Sequence, residues 1–223
     1  MLSLVVVFLL CYLIGSIPSS LWTGRAKGVD IRKHGSGNAG ATNTFRVLGW
    51  KAGIFVLLAD FSKGFFCTAV ISQLAYHIGS GPVSPSSVWE IDSFLRISCG
   101  AMAVFGHMYS IYASFEGGKG AATAAGMLYG IEPLSISITL VFFVSVIAKT
   151  KYVSMGTMVA ALIYPISQLI LRNYFGWPID PSVIFFSSGL ALVIIIKHHS
   201  NIKRLLNGTE NKVTFFAQDE HVK

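Results

Sequence analysis

Residues 34–46 (HGSGNAGATNTFR) are the part of the sequence best suited to binding an anion. They include three glycines and four small polar residues: Gly35, Gly37, Gly40, Ser36, Asn38, Thr42 and Asn43. Glycine lets backbone N–H groups converge on an anion without crowding by Cβ atoms. Arg46 follows about one helical turn later, and its planar guanidinium can bind a phosphate through two hydrogen bonds. The stretch predicts a phosphate site at a helix start; a loop that only reverses the chain is the alternative.

A second glycine-rich stretch, at residues 115–120, contains Lys119. Its glycines are Gly117, Gly118 and Gly120. It is not a Walker A loop, because Gly120 stands where serine or threonine should follow the lysine and Ala113 replaces the first glycine. A lysine between glycines can still neutralise a phosphate as a point charge. An interfacial lysine that anchors a helix end is the alternative.

His198 and Asn201 follow the last apolar segment and are three residues apart. If a helix continues there, the two side chains share a face. Histidine can then bind a hydroxyl group or act as a base. The alternative is a pair of interfacial residues that only end a helix.

Asp60 and Lys63 lie within an apolar segment at positions i and i+3. Each charge alone is costly in hydrocarbon, so we expect them to form an ion pair on one helix face. Whether the pair positions the neighbouring loop or contacts substrate stays open.

Several chemistries are disfavoured by the sequence. Residues 35–40 match the dinucleotide pattern G-x-G-x-x-G, but no apolar strand precedes them. The three cysteines show no disulfide or zinc spacing, so we expect neither a cofactor nor a metal site. The H-x-x-x-x-D arrangement of one large class of glycerolipid acyltransferases and the G-x-S-x-G elbow of serine hydrolases are both missing.

The elements that must position these residues are membrane helices. The chain has 223 residues, of which 53% are hydrophobic and 12% charged, against about a quarter charged in ordinary soluble domains. Apolar segments long enough for a hydrocarbon core of about 30 Å recur along the chain. We predict an all-α, polytopic bundle of about seven transmembrane helices at residues 2–24, 53–78, 93–114, 121–132, 134–149, 155–172 and 182–197. The fourth is short for a full crossing, and Glu132-Pro133 turns the chain into the fifth.

Loop charges predict the orientation. Fourteen of the 17 lysines and arginines fall on alternate connections of a seven-span chain, which leaves mainly acidic residues on the others. The positive-inside rule then puts the N-terminus outside and the C-terminus in the cytoplasm. We expect one membrane-embedded domain over residues 1–223, with a cytoplasmic motif loop at 25–52, the lysine loop at 115–120 and a cytoplasmic tail at 198–223. Because the cations flank membrane spans, the net charge of +7 does not indicate nucleic-acid binding.

The sequence resembles the bacterial membrane family of acyl-phosphate:glycerol-3-phosphate acyltransferases. The matching segments run in order along nearly the whole chain: 15–19 (GSIPS), 34–49, 60–64 (DFSKG), 106–107 (GH), 117–120 (GGKG), 151–154 (KYVS), His198 and 201–205 (NIKRL). One departure is visible after Gly106-His107, where the family usually has an aromatic residue and proline. This chain has Tyr109-Ser110, which puts a helix kink in doubt.

The resemblance implies a function and a set of site residues. It implies transfer of an acyl group from acyl phosphate to glycerol 3-phosphate, in the first acylation of phospholipid biosynthesis, at the cytoplasmic face of the bacterial inner membrane. It further implies seven helices, and active-site roles for Ser36, Arg46, Lys119, His198 and Asn201. Expected partners are the two substrates, membrane lipid and a soluble enzyme that makes the acyl phosphate. The competing hypothesis is a transporter of phosphorylated metabolites, which would bind substrate near the bilayer midplane.

Overall fold

The computed structural model describes residues 2–79, 81–82 and 90–212. Over these residues the chain is helical and contains no β-strand, which confirms the all-α class. The helices are α1 (Leu2–Ser16), α2 (Ser19–Ala26), α3 (Ala41–Leu48), α4 (Trp50–Phe66), α5 (Ser72–Leu74), α6 (Ile91–Met108), α7 (Ala121–Ile131), α8 (Pro133–Thr150), α9 (Val153–Phe175), α10 (Pro181–Lys197) and α11 (His199–Leu206). A π-helical turn, Cys67–Ile71, joins α4 to α5, and 3₁₀ turns occur at Ile31–Lys33, Ala75–His77 and Ile111–Ala113.

Four helical segments among the described residues are long and apolar enough to cross a membrane: Leu2–Ala26, Trp50–His77, Pro133–Thr150 and Val153–Phe175. A fifth arises if α10 and α11, which meet at a bend of 56°, form one broken span. The other two predicted spans correspond to α6, which carries Asp92 and Arg96 near its start, and to α7, which has 11 residues. The number seven therefore stays a prediction.

The first predicted span is broken near its C-terminal end. Helix α1 ends at Ser16 and α2 begins at Ser19, so Ile17 and Pro18 interrupt the segment predicted as 2–24. Proline lacks the N–H that would continue the helical ladder. The carbonyl of Ile17, at this interruption, accepts hydrogen bonds from the backbone N–H of Ser19 (3.0 Å) and from Lys63 Nζ in α4 (2.8 Å). The break thus supplies a partner for a charge buried in the bundle.

Helices α4 and α7 pack closely through glycine. A Cβ atom on Gly64 of α4 would lie 1.9 Å from the carbonyl oxygen of Thr123 in α7. A Cβ atom on Gly126 of α7 would lie 1.9 Å from the carbonyl oxygen of Phe61. Small residues that let two helix backbones approach are characteristic of packing between membrane helices. This contact fixes the start of α7, and with it the preceding Lys119, against α4.

The turn predicted at Glu132-Pro133 is confirmed. The Glu132 carboxylate caps α8 by accepting hydrogen bonds from the backbone N–H groups of Leu134 (3.0 Å) and Ser135 (2.6 Å). Proline at the first position of α8 needs no intrahelical acceptor, since that position lacks one anyway.

The segment predicted as a tail, 198–223, is folded over its described part. It begins with α11 and continues to residue 212, while residues 213–223 lie outside the described residues. The left-handed Gly208 reverses the chain after α11. Residues 198–210 therefore form part of the structure around the candidate site described next.

Candidate active site

The glycine loop at residues 34–40 is shaped by Asn43, whose side chain is fully buried. Its Nδ2 donates hydrogen bonds to the carbonyls of Ile31 (2.9 Å) and His34 (3.1 Å), and its Oδ1 accepts one from the backbone N–H of Ser36 (2.8 Å). Gly35 adopts φ +61° beside it, and a Cβ atom there would lie 2.4 Å from Asn43 Oδ1. Asn43 thus holds the loop backbone, and direct phosphate contact by its side chain stays a prediction.

The predicted helix start after this loop is confirmed. Gly40 is extended, with φ −152°, and α3 follows it directly. The backbone N–H and the hydroxyl of Thr44 both donate to the Gly40 carbonyl at 3.1 Å. The first amides of a helix have no intrahelical acceptor, so this end of α3 offers donors to an anion. Thr42, in the first turn, is half-buried, and Arg46 is half-buried one turn later.

The remaining residues of this loop are open to solvent or partly so. The Ser36 side chain is exposed, and its residue is held through the backbone amide. Gly37 adopts φ +70°, and Asn38 is half-buried next to Gly40. The Ser36 side chain is therefore accessible from solvent, and its contact with substrate stays a prediction.

The lysine loop packs on the end of α6. The backbone N–H groups of Gly117 and Gly118 donate to the carbonyls of Met108 (3.2 Å) and His107 (3.1 Å). A Cβ atom on Gly117 would lie 1.9 Å from the His107 carbonyl oxygen. These glycines are thus required for packing, and their amides satisfy the last carbonyls of α6. Their predicted contact with phosphate stays a prediction.

The end of α6 also resolves the departure at Tyr109-Ser110. Helix α6 ends at Met108 although no proline follows. The Ser110 hydroxyl donates to the carbonyl of Ser16 at the end of α1, and the Ser110 carbonyl accepts from Phe115 N–H at 2.8 Å. The chain therefore leaves α6 through these hydrogen bonds, without the proline usual in the family.

The two glycine-rich loops touch each other. A Cβ atom on Gly118 would lie 2.7 Å from the carbonyl oxygen of Ala39. The guanidinium of Arg32 also lies 3.7 Å from the Glu116 carboxylate, across the same boundary. Gly120, with φ +81°, then ends the lysine loop and begins α7. The starts of α3 and α7 therefore lie on neighbouring loops.

Asp60 and Lys63 form the predicted ion pair, with Lys63 Nζ 2.7 Å from Asp60 Oδ1. Both side chains are at least nine-tenths buried. His107 Nδ1 lies 3.7 Å from the same carboxylate oxygen, and a Cβ atom on Gly118 would lie 2.3 Å from His107 Nε2. The ion pair therefore contacts His107, and His107 in turn packs against Gly118 of the lysine loop. This geometry favours the positioning role over substrate contact.

Lys119 and Asn201, which are far apart in sequence, meet in the structure. Lys119 Nζ donates a hydrogen bond to Asn201 Oδ1. Asn201 Nδ2 donates at 2.7 Å to the carboxylate of Glu210, which also accepts from Ser154 Oγ at 2.7 Å and from Arg204 Nε at 2.7 Å. This arrangement fixes the carboxamide, because a flipped amide would face its NH₂ group towards the ammonium.

Glu210 was missed by reasoning from the sequence, and Ser154 and Arg204 entered only as parts of matching segments. Glu210 lies on no apolar helix and belongs to no recognisable motif. The available signal was Gly208, since glycine just past a helix predicts a left-handed cap that turns the chain back.

His198 lies at the bend between α10 and α11 and is 5% exposed. Its Nδ1 is 2.7 Å from the carbonyl oxygen of Ile194, which can only accept a hydrogen bond. Nδ1 therefore carries a proton, and in the neutral ring Nε2 is the acceptor. Asn201 follows one turn into α11 and is also buried, so the two residues share the inner side of the bend.

The site is rich in positive charge. The pKa of Lys119 is lowered to about 8, mainly by burial and also by the neighbouring Arg204, while Glu210 acts in the opposite direction. Burial likewise lowers the pKa of Arg46, which Glu210 raises and Arg204 lowers. Three cations, Arg46, Lys119 and Arg204, thus interact electrostatically with the carboxylate of Glu210. Such a cluster of positive charge favours an anion with more than one negative charge.

Comparison with known proteins identifies the family. The family model for glycerol-3-phosphate acyltransferase matches residues 5–208. The glycerol-3-phosphate acyltransferase of Salinibacter ruber is 47% identical over 97% of this chain and 95% of its own length. That of Chlorobaculum parvum is 42% identical over 96% and 98%.

Two solved structures have the same fold. Both are of PlsY (YgiH), an integral membrane glycerol 3-phosphate acyltransferase. The glycerol 3-phosphate form has a TM-score of 0.78 and 31% identity, and covers 95% of this chain and 96% of that one. The lysophosphatidic acid form has a TM-score of 0.76 and 30% identity, over 96% of both chains. The chain is a multi-pass membrane protein and belongs to the glycerol-3-phosphate acyltransferase family.

Proposed function

We propose that the chain transfers an acyl group from an acyl phosphate to glycerol 3-phosphate, forming 1-acyl-glycerol 3-phosphate and inorganic phosphate. The observation that carries this proposal is the contact between Lys119 and Asn201. It joins the lysine loop to the segment after α10, where Arg46, Lys119 and Arg204 are close enough to interact electrostatically with Glu210. Both substrates carry a phosphate that such a cluster of positive charge can bind. The reaction would be the first acylation of phospholipid biosynthesis.

An acyl phosphate is already an activated mixed anhydride, so the protein mainly has to position the acceptor and stabilise charge. The acceptor hydroxyl attacks the acyl carbon, and the bond from that carbon to the phosphate oxygen breaks. Arg46, Lys119 and the first amides of α3 hold phosphate groups, and Ser36 hydrogen-bonds at the pocket edge. The hydroxyl proton passes to His198 Nε2 or to the departing phosphate. No covalent acyl-serine is required, because the donor needs no further activation.

The donor provides the test of this function. Because the sequence lacks the H-x-x-x-x-D arrangement, we expect purified protein to form lysophosphatidate from acyl phosphate and glycerol 3-phosphate, and little or none from acyl-coenzyme A. The measurement is product formation with each donor at equal concentration. A preparation of the Lys119→Ala variant controls for contaminating acyltransferases. Comparable rates with the thioester would contradict the proposed donor. If acyl phosphate is the donor, the expected partner is a soluble enzyme that makes it.

We further propose that the chain crosses the bacterial inner membrane seven times, with the N-terminus outside and the active site in the cytoplasm. The segregation of 14 of the 17 basic residues onto alternate connections supports this orientation. The candidate site draws Arg46, Lys119 and Arg204 from three of these basic connections. Helices α6 and α7 would supply the two spans beyond the five that are counted when α10 and α11 form one broken span.

Cysteine labelling tests the orientation. We expect an impermeant maleimide added to intact cells to label Glu90→Cys, whereas Lys33→Cys is labelled only after permeabilisation. Both positions are exposed, so access and not burial decides the outcome. The native cysteines Cys11, Cys67 and Cys99 are buried and give little background. The reverse pattern would contradict a cytoplasmic active site.

A further inference from the structure

Glu210, just past helix α11, pairs with Arg204 and acts electrostatically on Arg46 and Lys119. Helix α11 ends in a Schellman motif, in which Thr209 N–H donates to the Arg204 carbonyl (2.8 Å) and Gly208 N–H donates to the Leu205 carbonyl (3.2 Å). Gly208, at φ +69°, reverses the chain, so that Glu210 returns to the face of α11 that carries Asn201 and Arg204.

The Glu210 carboxylate is enclosed and fully used. Its side chain is 5% exposed. Oε1 accepts hydrogen bonds from Ser154 at the start of α9 and from Asn201, while Oε2 accepts from Arg204, each at 2.7 Å. Burial raises the pKa of Glu210, but these hydrogen bonds outweigh it and hold the pKa below its ordinary value. The group is therefore a carboxylate at neutral pH, linked to two helices.

Glu210 is connected to Lys119 through the side chain of Asn201. Among the described residues it forms an ion pair with Arg204, and its hydrogen-bonded connection to Lys119 runs through the Asn201 carboxamide. That carboxamide has a fixed direction, because its NH₂ group faces the carboxylate and its oxygen faces the ammonium. Without Glu210, the amide could rotate and Lys119 would lose a fixed partner.

We propose that Glu210 is a positioning residue for the acyl transfer: through the carboxamide of Asn201 it fixes the Lys119 ammonium where the substrate phosphate binds. The inference rests on the proposed function. It adds a residue that does not touch substrate but determines how two residues that do are oriented. The same carboxylate also supplies the negative charge that keeps three neighbouring cations together in the absence of substrate.

The test compares Glu210→Gln, Glu210→Asp and Glu116→Gln in full-length protein. Glutamine has nearly the size of glutamate but cannot accept hydrogen bonds from Arg204 on one side and from Ser154 and Asn201 on the other. Charged hydrogen bonds of this kind make a loss of about 10-fold or more in kcat/KM for glycerol 3-phosphate the expected result. Glu210→Asp keeps the charge and should recover part of the loss. Glu116, whose carboxylate is largely exposed on the lysine loop, is the matched control and should stay within about twofold of wild type.

The pH profile separates positioning from a purely structural role. Arg204 lowers the pKa of Lys119, and Glu210 raises it. The charge of Lys119 also interacts electrostatically with the nearby ring of His198. The negative charge of Glu210 raises the pKa of Lys119, so Glu210→Gln should shift the alkaline limb of kcat/KM to lower pH. Glu116→Gln should leave the limb in place. Thermal unfolding of each variant in detergent shows whether the fold is retained.

The outcomes distinguish the inference from the function on which it rests. If wild-type protein forms no lysophosphatidate from acyl phosphate, the proposed function fails. If wild type is active and Glu210→Gln matches it in kcat/KM and in alkaline limb, only the positioning role fails. That role also fails if Glu210→Gln loses activity in proportion to thermal stability, with no change of the limb and no recovery in Glu210→Asp.

Discussion

Replacement of Lys119 by alanine is expected to lower kcat/KM for glycerol 3-phosphate by about 10²- to 10³-fold, the usual effect of removing one donor that stabilises a developing negative charge. Lys119 is the cation of the lysine loop and is bound to the Asn201 carboxamide. Its partial burial strengthens its interaction with a phosphate, since less water competes for the ammonium. Alanine removes both the charge and the hydrogen bond.

The pH dependence identifies Lys119 more specifically than the size of the loss. Burial lowers its pKa to about 8, so the ammonium is charged below that pH and loses its proton above it. In wild-type protein, kcat/KM should therefore fall as pH rises through about 8, because this profile reports the free enzyme. A bound phosphate raises the pKa of Lys119, so the corresponding limb of kcat should lie at higher pH.

Lys119→Arg provides the control. Arginine keeps the positive charge but cannot deprotonate in this range, and its larger head group does not reproduce the contact with Asn201. We expect activity between those of wild type and Lys119→Ala, with no fall in kcat/KM near pH 8. A Lys119→Arg variant with the wild-type alkaline limb would assign that limb to another group.

The sequence predicted the helix start at Gly40 because glycine-rich loops and periodic apolar segments are local signals. It also predicted the turn at Glu132-Pro133, where a capping carboxylate and proline are adjacent. The sequence could not distinguish Asn43 as a loop-shaping residue from Asn43 as a phosphate ligand. Both roles need a small amide at that position, and only the buried hydrogen bonds to Ile31, His34 and Ser36 separate them.

Glu210 illustrates the other limit of the sequence. Its role depends on three partners brought together from α9 and α11, and no spacing along the chain indicates that meeting. Gly117 and Gly118 present the same difficulty. Glycine is required both in a loop that binds phosphate and in a loop that packs on the end of a helix. The close approach to His107 explains them by packing alone. In each case the role of the residue depends on tertiary contacts, which local sequence patterns do not encode.

The largest effect on stability is expected from Asp60→Ala. Removing one partner of a buried ion pair leaves an uncompensated charge, which costs about 3–5 kcal/mol. Lys63 is 7% exposed and would keep only the carbonyl of Ile17 as a described partner. The measurement is the free energy of unfolding in mixed micelles. Asp92→Ala, which removes the partly exposed pair with Arg96 in α6, is the matched control and should cost no more than about 1 kcal/mol.

A double variant separates the two roles of the buried pair. Asp60→Leu with Lys63→Leu removes both charges and keeps the site apolar, and such replacements are often neutral in stability. We therefore expect the double variant to regain most of the stability that Asp60→Ala loses. Activity should nevertheless stay low, because His107 loses the carboxylate 3.7 Å from its Nδ1 and the lysine loop rests on that ring. Wild-type activity in a stable double variant would mean that the pair only compensates its own burial. A double variant as unstable as Asp60→Ala would mean that packing, and not the unpaired ammonium, causes the loss.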